Sequence, residues 1–480
     1  MSKRNESIPE VRDVPIGINA TGEREEFDSL GKVRVPADRY WGAQTQRSLT
    51  HFKIGSDRMP VEVYRAYGLV KKAAAIVNAD AGRLPAWKAQ LIVQACDEII
   101  SGALDSESPL YVWQTGSGTH SNMNVNEVIA NRCIQRVGGQ LGSQSPIHPN
   151  DDVNMGQSSN DTFPTAMHVA GYQMVAEKTL PALMALRNAL DQKSTEWRDV
   201  VKIGRTHLQD ATPITVGQEW SGYVGALDDA MADLARENEG LLQVAMGGTA
   251  VGTGLNAPAG FAEGVAQELR RLTGFGFRTA ENKFTAQATL DRMVRAHAAL
   301  KTTAVTLYKI ANDLRWLGSG PRTGLMELVL PSNEPGSSMM PGKVNPTQAE
   351  AMMMVCIQIM GADVAVQMAG AEGNFELNAF RPVVIYNFLN SARLMADVCD
   401  LFREHLVEGT TLNHAQLQKN IEQSLMMVTA LAPEIGYDQA AAIAHDAVKH
   451  GQTLREAALS HGVPEALFDR LIVPINMTHS

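Results

Sequence analysis

Between about residues 160 and 412, apolar side chains recur at steps of three and four. This spacing places them on one face of an α-helix. Two such stripes are Trp220, Tyr223, Leu227, Met231, Leu234, Leu241 and Ala245, and Met293, Ala296, Leu300, Ala304, Leu307, Ala311, Leu314 and Leu317. With further helices at 349–370 and 382–405, the pattern predicts an all-α fold around a central bundle of long helices.

Four stretches of different character follow one another along the 480 residues. Residues 1–26 are polar and acidic and predict a mobile tail, whereas residues 27–156 mix short helices with loops. The long helices occupy 157–414, and 415–480 have the pattern of a small helical lobe. A chain of this length can bury a large core, so we predict three domains preceded by a tail.

The most apolar run extends from Ala351 to Ala369 and is nearly long enough to suggest a transmembrane helix. Gln358, Asp363 and Gln367 interrupt it, however. A helix that is apolar on almost every side is also typical of one buried inside a large helical assembly. We therefore predict a core helix and no association with a membrane.

Charge and cysteine content argue against several classes of function. The formal net charge is −10, whereas binding of nucleic acid requires a basic face. Four widely spaced cysteines without a Cys-x-x-Cys pair favour neither a zinc site nor a disulfide framework. The N-terminal sequence is acidic and lacks an apolar secretory segment, so the expectation is a cytoplasmic protein with reduced thiols.

The segment from Glu334 to Glu350 begins as a loop and ends as a helix. Three prolines and two glycines prevent regular helix in its first part, and from Ala349 the sequence turns apolar. The polar side chains of the loop include Ser337, Ser338, Lys343 and Asn345. Such a loop, attached to a rigid helix, predicts a lid that closes over a small polar substrate and excludes water.

Three further polar clusters interrupt the helical pattern, at 115–124, 148–161 and 204–210. The first is rich in glycines and hydroxyls, which fits either an anion-binding nest or a helix N-cap. The second places His148 near two aspartates, but a metal site is disfavoured because no third ligand has helical spacing. The third contains His207, a residue type that alone is more often structural than catalytic. Together the clusters suit proton transfer on a small polycarboxylate.

Gly336-Ser-Ser-Met-Met-Pro-Gly-Lys-Val-Asn345 resembles the signature of the aspartase/fumarase superfamily. The resemblance covers nearly the whole chain after residue 27, and its main segments are 115–132, 148–168, 204–223, 247–256 and 317–350. Within the superfamily, Ser158-Ser-Asn-Asp161 and Gln209-Asp-Ala-Thr-Pro213 are similar to class II fumarate hydratases, as is Pro341-Gly-Lys-Val-Asn-Pro-Thr-Gln348.

The resemblance implies an all-α homotetramer in which long helices from four subunits form one helical core. Each active site is then assembled from three chains. The implied reaction is a reversible anti addition of water to fumarate, which gives (S)-malate without a metal ion or another cofactor. The implied partners are a small dicarboxylate substrate and the other subunits, with no nucleic acid and no membrane.

The resemblance also implies roles for individual residues. Ser337 would be the base at C3, and His207, oriented by Glu350, would act on the leaving hydroxyl directly or through a water. Because a serine is a poor base unless its oxyanion is stabilised, we expect the backbone amides of 336–338 to do this once the lid closes. The implied substrate-binding residues are Ser117, Gly118, Thr119, Ser158, Ser159, Asn160, Thr206, Ser338, Lys343, Val344 and Asn345. A second anion-binding segment, outside the catalytic pocket, would consist of His148, Pro149, Asn150 and Asp151.

The sequence departs from the family pattern in three places. His120 stands where Gln is frequent, Met155-Gly156 stands where fumarases often have Lys-Ser, and the tail has no counterpart in shorter members. His120 either faces the pocket beside Thr119 or replaces a hydrogen-bonding Gln within the helix packing.

Two alternative functions come from different classes. Met155 leaves an aspartate ammonia-lyase as the nearest alternative, since some aspartases have Met at this position. A catalytically silent helical scaffold is the second alternative. The chain retains every residue to which the resemblance gives a central catalytic role, which argues against a scaffold; these residues are Ser337, Lys343, Asn345, His207 and Glu350.

Overall fold

The computed structural model describes residues 8–479, and its α-helices confirm the all-α prediction. The helices are α1 (Ala43–His51), α2 (Val61–Asp80), α3 (Ala86–Ile100), α4 (Thr119–Arg136), α5 (Ser159–Met174), α6 (Leu180–Glu196), α7 (Val216–Asn238), α8 (Phe261–Thr273), α9 (Lys283–Ala288), α10 (Asp291–Leu317), α11 (Thr347–Ala371), α12 (Arg381–Phe402), α13 (His414–Gln423), α14 (Ala432–Ile435), α15 (Tyr437–His450), α16 (Leu454–Ser460) and α17 (Glu465–Leu471). Three π-helical segments adjoin them, at Pro149–Val153, Val175–Thr179 and Arg403–Val407.

The β-structure of the described residues consists of four separate two-stranded sheets. The strands are β1 (Glu23–Asp28), β2 (Gly31–Pro36), β3 (Val201–Thr206), β4 (Gln209–Thr215), β5 (Gln243–Val244), β6 (Arg278–Thr279), β7 (Leu328–Val329) and β8 (Thr411–Leu412). Only β5 and β6 pair in parallel, and the other three pairs are antiparallel. Isolated pairs of strands have little stability of their own, so helix packing must provide most of the core.

The predicted long helices are present, but α7 ends earlier than its apolar stripe predicts. α10 contains the whole second apolar stripe. α7 ends at Asn238, so Leu241 and Ala245 of the first stripe lie beyond it, where the chain forms a 3₁₀ turn and then β5. Both side chains are nevertheless buried. The periodicity therefore reported burial correctly and overestimated the length of the helix.

The chain divides into two compact units, each made of three segments. The first contains the described residues up to Thr179, together with Asp233–Lys301 and Gln358–Arg393. The second contains Leu180–Ala232, Thr302–Ile357 and the chain from Leu394 onwards. The domain boundaries predicted at 26, 156 and 414 stay a prediction.

Part of the predicted N-terminal tail is attached to α4. Residues 1–7 lie outside the described residues. Arg12 donates its backbone N–H to the carbonyl oxygen of Arg136 at 2.7 Å, and Arg132 donates to the carbonyl oxygens of Val14 and Pro15. The last four residues of the predicted tail lie in β1. These backbone contacts were not foreseeable from the polar composition.

Helix α11 combines a buried face with an exposed apolar stripe. Met354, Ile357, Val364 and Met368 recur at helical spacing and are each more than half exposed, at 65, 57, 56 and 67%. By length and composition alone this helix could cross a membrane, but core helices of soluble proteins pass the same test. In a single chain α11 is therefore only partly covered, and its burial inside a larger helical assembly stays a prediction.

A buried polar network joins three long helices within the first unit. His297 of α10 has its Nδ1 2.8 Å from Asp363 Oδ1 on α11 and its Nε2 3.0 Å from Ser391 Oγ on α12. Lys301 lies 3.1 Å from the second oxygen of Asp363. Since both ring nitrogens have partners and all three core groups are buried, the network fixes the packing of these helices.

Candidate active site

Three predicted substrate-binding hydroxyls meet in the first unit. Ser117 Oγ lies 2.8 Å from Thr119 Oγ1, which in turn lies 2.7 Å from Ser159 Oγ. Thr119 is the first residue of α4, and Ser159 is the first residue of α5. The N-termini of two helices of at least 16 residues therefore converge on this hydroxyl cluster. Helix N-termini offer unpaired N–H groups and a partial positive charge, so the cluster suits a carboxylate.

Gly118 makes the turn into α4 possible. Its φ angle is +81°, in the left-handed region that favours glycine. A Cβ atom at this position would lie 2.1 Å from Cγ of Phe163, which is a prohibitive clash. Gly118 is thus the N-cap residue of α4, as one of the two alternatives for the segment 115–124 expects, and the same turn gathers the hydroxyls.

Arg381 supports this turn from the interior. The side chain is fully buried, and it donates from Nη1 to the carbonyl oxygen of Ser117 at 3.3 Å and from Nη2 to that of Gln287 at 2.7 Å. Burial lowers the pKa of the guanidinium to about 10, so it remains charged at neutral pH. Sequence analysis missed Arg381 because 264 residues separate it from Ser117.

The segment Ser158–Asn160 is held by its own capping interactions. Ser158 Oγ accepts the N–H of Asn160, and Asp161 accepts the N–H of Ser158, so the helix begins with a capping box. The other oxygen of Asp161 accepts the N–H groups of Gly247 and Thr249 at 3.0 and 2.9 Å. Asp161 thus ties the start of α5 to the segment 247–249, a positioning function that the motif alone did not reveal.

The predicted second anion segment, 148–151, begins the π-helical turn Pro149–Val153. His148 Nδ1 accepts the N–H groups of Asn150 and Asp151, each at 3.1 Å. Asp152, which contacts Lys88, accepts the N–H of His148. Because these interactions use His148 Nδ1 and Asp152 as capping groups, they account for the His–Asp spacing without a metal ion. Among the described residues, no group of three or more His, Cys, Asp and Glu side chains could hold one.

His207 lies in the second unit, at the tip of the β3–β4 hairpin. Thr206 and Gln209 form the last pair of the hairpin, and His207 and Leu208 form its two-residue turn. Both turn residues have positive φ angles, 56° and 60°. This is the geometry of a type I′ turn, which normally selects Asn and Gly. Such strain in non-glycine residues is concentrated at functional sites.

Hydrogen bonds within the loop stabilise the conformation of the segment that carries Ser337. Ser337 Oγ accepts the backbone N–H groups of Met339 at 3.1 Å and Met340 at 2.9 Å. Asn345 Nδ2 donates to the carbonyl oxygen of Gly336 at 2.5 Å, and the N–H of Gly336 donates to that of Lys343 at 3.0 Å. The donors to Ser337 are therefore the amides of 339 and 340, whereas the sequence analysis expects those of 336–338. A serine-type turn explains the difference, because the side chain reaches forward along the chain.

A cavity of about 500 Å³ adjoins this loop within the second unit. One wall is Gly342–Pro346, which includes Lys343, Val344 and Asn345, and the other wall lies between Arg315 and Leu330. The exposed Glu350 is in the first turn of α11, directly after the loop. The cavity size suits a small-molecule site, and its wall supplies an ammonium group and an amide.

Within residues 8–479 of one chain, no hydrogen bond or ion pair joins His207 to Glu350. Both side chains are exposed. The predicted pairing between them stays a prediction for an assembly in which the two residues come from different subunits.

Comparison with known proteins places the chain in a family. A family described as a lyase matches residues 31–361, and one described as the fumarase C C-terminus matches residues 427–479. A class II fumarate hydratase of Methanosarcina acetivorans is 62% identical over 471 residues, which cover 98% of this chain and 97% of the relative. The chain belongs to the class II fumarate hydratase family.

Two further comparisons support membership of the class II fumarate hydratase family. A class II fumarate hydratase of Myxococcus xanthus is 57% identical, with 95% of this chain and 98% of the relative covered. The crystal structure of a recombinant class II fumarase from Schistosoma mansoni superposes with a TM-score of 0.93 at 43% identity. That comparison covers 95% of this chain and 99% of the other. The resemblance predicted from the motifs is confirmed.

One departure from the fumarate hydratase pattern, His120, is packed against its neighbours. Its Nδ1 lies 2.9 Å from Ser48 Oγ and 3.4 Å from the N–H of Thr115, and its ring meets Phe52 edge-on with centroids 5.1 Å apart. Burial, with a smaller contribution from His51, lowers the pKa of His120 from its ordinary 6.5 to about 4. The imidazole is thus neutral at physiological pH, which favours the packing interpretation over a cationic role.

Proposed function

We propose that this protein catalyses the reversible hydration of fumarate to (S)-malate by anti addition of water. Membership of the class II fumarate hydratase family supports the reaction. The observation that carries the proposal is the Ser337 loop, where a serine hydroxyl already accepts two backbone N–H groups. Those donors suit a serine that must carry negative charge briefly while it exchanges a proton with carbon.

The substrate carboxylates need local donors because the chain carries a net charge of −10. The hydroxyl cluster Ser117–Thr119–Ser159, at the start of two long helices, supplies them for one carboxylate. Gly118, Ser158 and Asn160 adjoin this cluster in sequence and belong to the same binding segment. Arg381 donates to the carbonyl oxygen of Ser117 and Asp161 accepts the N–H of Ser158, and these hydrogen bonds stabilise the segment.

The other groups implied in substrate binding belong to the second unit. Lys343, Val344 and Asn345 line the 500 Å³ cavity, and Ser338 is on the same loop. Removal of the C3 proton of malate generates an aci-carboxylate with extra negative charge. We assign its stabilisation to Lys343 and Asn345, since preorganised donors act most strongly where charge develops.

On the opposite face of the substrate, His207 would act on the hydroxyl at C2, directly or through one water. Thr206 precedes it in the hairpin and would bind substrate beside it. In the hydration direction, water loses a proton towards His207 while its oxygen bonds to C2, and Ser337 delivers a proton to C3. Glu350 would orient the imidazole from another subunit.

A homotetramer with shared active sites follows from the same proposal. The exposed stripe Met354, Ile357, Val364 and Met368 on α11 supports it, because a contiguous apolar stripe of this kind is typical of an interface. We further propose that His148, Pro149, Asn150 and Asp151 bind a second anion outside the catalytic pocket. Four free, buried cysteines fit the reducing cytoplasm in which we place the enzyme.

The absorbance of fumarate in the presence of purified protein tests the reaction. Fumarate should disappear in ammonium-free buffer, at a rate that added ammonium does not raise. Activity should also survive a chelator, since the proposed chemistry uses neither a metal ion nor another cofactor. Consumption of fumarate only after ammonium is added would instead identify an aspartate ammonia-lyase, and no consumption under either condition would favour a silent scaffold.

A further inference from the structure

Charged side chains and one amide converge at the base of the β3–β4 hairpin in the second unit. Glu327 Oε1 lies 2.7 Å from Arg205 Nη2 and accepts from Asn420 Nδ2 at 3.0 Å. Glu327 Oε2 lies 2.8 Å from Lys202 Nζ, which also donates to Glu219 at 2.7 Å. We call these five residues the Glu327 cluster.

The cluster is largely removed from water. The side chains of Lys202 and Glu327 are each 2% exposed, and that of Arg205 is 16% exposed. Burial alone would raise the pKa of Glu327, but Lys202 and Arg205 together hold it below its usual value. Glu327 is therefore a carboxylate at neutral pH. If it were neutralised, two cations would lose their shared partner in a region of low dielectric constant.

Both cations contact the same carboxylate beside a β-bulge of the hairpin. In a regular strand, residues 202 and 205 would point to opposite faces, because side chains alternate. Between the pairs Ile203–Pro213 and Arg205–Asp210, β3 has one residue and β4 has two, so β4 carries a bulge that increases the local twist of the hairpin. Both cations nevertheless contact Glu327. Gly204 permits the bulge, since a Cβ atom there would lie 2.8 Å from the carbonyl oxygen of Thr212.

The hairpin tip lies immediately beyond this cluster. Arg205 precedes Thr206, which forms the last pair with Gln209, and His207 follows in the turn. His207 and Leu208 both have left-handed backbone conformations that their side chains disfavour. A strained turn of this kind persists only when surrounding structure determines it. Among the described residues of β3, the side-chain interactions nearest to the tip are those of Arg205 and Lys202 with Glu327.

We infer that Glu327 is a positioning residue for His207. By binding Arg205 and Lys202 on either side of the bulge, it sets the direction in which β3 presents the turn and therefore the location of the imidazole. The inference rests on the proposed function, since it takes His207 as the group that acts on the hydroxyl at C2. Glu327 itself touches no reacting atom in this scheme.

Steady-state kinetics of Glu327→Gln provide the first test. The kcat should fall about 10- to 100-fold, because a displacement of about 1 Å at a reacting group can cost about 100-fold in rate. The KM for fumarate should change less than about twofold, since the assigned substrate-binding groups other than Thr206 lie on other segments. Glu219→Gln is the matched control. It also removes a carboxylate next to Lys202, but leaves Glu327 paired with both cations, and should retain wild-type kcat.

A double-mutant cycle with His207→Asn distinguishes positioning from general loss of structure. If Glu327 acts through His207, Glu327→Gln should reduce kcat by less than about twofold when His207 is already replaced. If the losses of kcat caused by Glu327→Gln and His207→Asn multiply in the double variant, the inference is overturned. A Glu327→Gln variant with wild-type kcat would overturn it too. Wild-type kcat in His207→Asn alone would instead refute the proposed role of His207, and the inference would fail with it.

A second variant keeps the test decisive if Glu327→Gln does not fold. Arg205→Gln removes one cation and leaves the Glu327–Lys202 pair and Asn420 in place, so it disturbs the core less. The same loss of kcat, the same unchanged KM and the same lack of additivity with His207→Asn are expected. Binding of succinate, a dicarboxylate without the double bond, counts intact sites in each variant. If the losses of kcat caused by Arg205→Gln and His207→Asn multiply in the double variant, the inference is overturned in the same way.

Discussion

The buried guanidinium of Arg381 donates a hydrogen bond to the carbonyl oxygen of Ser117 across 264 positions of sequence. Its second nitrogen donates to the carbonyl oxygen of Gln287. One planar fork thus connects the turn at Ser117–Thr119, which we propose binds substrate, to the start of α12 and to the end of α9. The shape of the turn depends on this side chain, although Arg381 is not itself assigned to contact substrate.

Arg381→Lys should weaken substrate binding more than turnover. A single ammonium cannot reproduce the planar fork, so the carbonyl oxygen of Ser117 or that of Gln287 loses its donor. We expect the KM for fumarate to rise about tenfold, the equivalent of one lost hydrogen bond of about 1.4 kcal/mol. The exposed Arg236, replaced by Lys, is the control. An unchanged KM in Arg381→Lys would show that the turn holds its shape without the fork.

His120→Gln should protect the protein against mild acid. The unfolded chain binds a proton at this position below about pH 6.5, whereas the folded protein binds one only below about pH 4. Stability of the wild type should therefore fall as the pH decreases through this interval, and His120→Gln should lack this contribution.

Thermal unfolding at about pH 7.5 and about pH 5 makes the comparison. The wild type should lose more stability on acidification than the variant, while the pH profiles of kcat/KM superimpose above about pH 6. Equal losses of stability would indicate that His120 titrates as an exposed group. A flatter acid limb of kcat/KM in the variant would support a role in the pocket.

Ile357→Lys should dissociate the proposed homotetramer. The substitution places a charge in the middle of the apolar stripe of α11, where burial against another subunit would require its desolvation. Light scattering should give a tetramer for the wild type and smaller species with little activity for the variant. Val448→Lys, at an apolar residue of α15 that is 71% exposed, is the matched control and should stay tetrameric. A fully active monomer of either protein would refute the shared active site.

Ser337→Ala should abolish most turnover and leave ligand affinity largely intact. Loss of a general base typically costs about 10²- to 10⁴-fold in rate, and the carboxylates are held by other groups. Ser338→Ala is a stringent comparison, because the neighbouring hydroxyl is assigned to binding and should affect KM more than kcat. Near wild-type kcat in Ser337→Ala would eliminate this residue as the base.

Sequence patterns predicted the long helices well and the small strands poorly. α10 and α11 follow directly from apolar spacing, since each must bury one face along more than six turns. The β3–β4 hairpin was not predicted. Its turn is His207-Leu208, without the glycine or asparagine that signals a type I′ turn, and a bulge in β4, opposite Gly204, interrupts the alternation of side chains.

The motifs name candidate residues of the site, which stay predictions, but they do not indicate which residues hold these candidates in place. The resemblance named Ser117, Ser337 and His207, because such motifs lie within short stretches of sequence. Arg381 and Glu327 lie far from the residues they support, and nothing in their local sequence indicates a partner. The donors to Ser337 are backbone amides, which every residue except proline has, so only the path of the loop could identify them.

The products formed from fumarate in D₂O test the central claim most directly. Proton NMR should show (S)-malate with a single deuterium at C3, in one diastereomer whose deuterium and hydroxyl were added to opposite faces. This outcome requires one proton-transferring group on each face of the fumarate double bond, and Ser337 and His207 are assigned to these two positions. A mixture of both C3 diastereomers, or no malate at all in the absence of ammonium, would contradict the account.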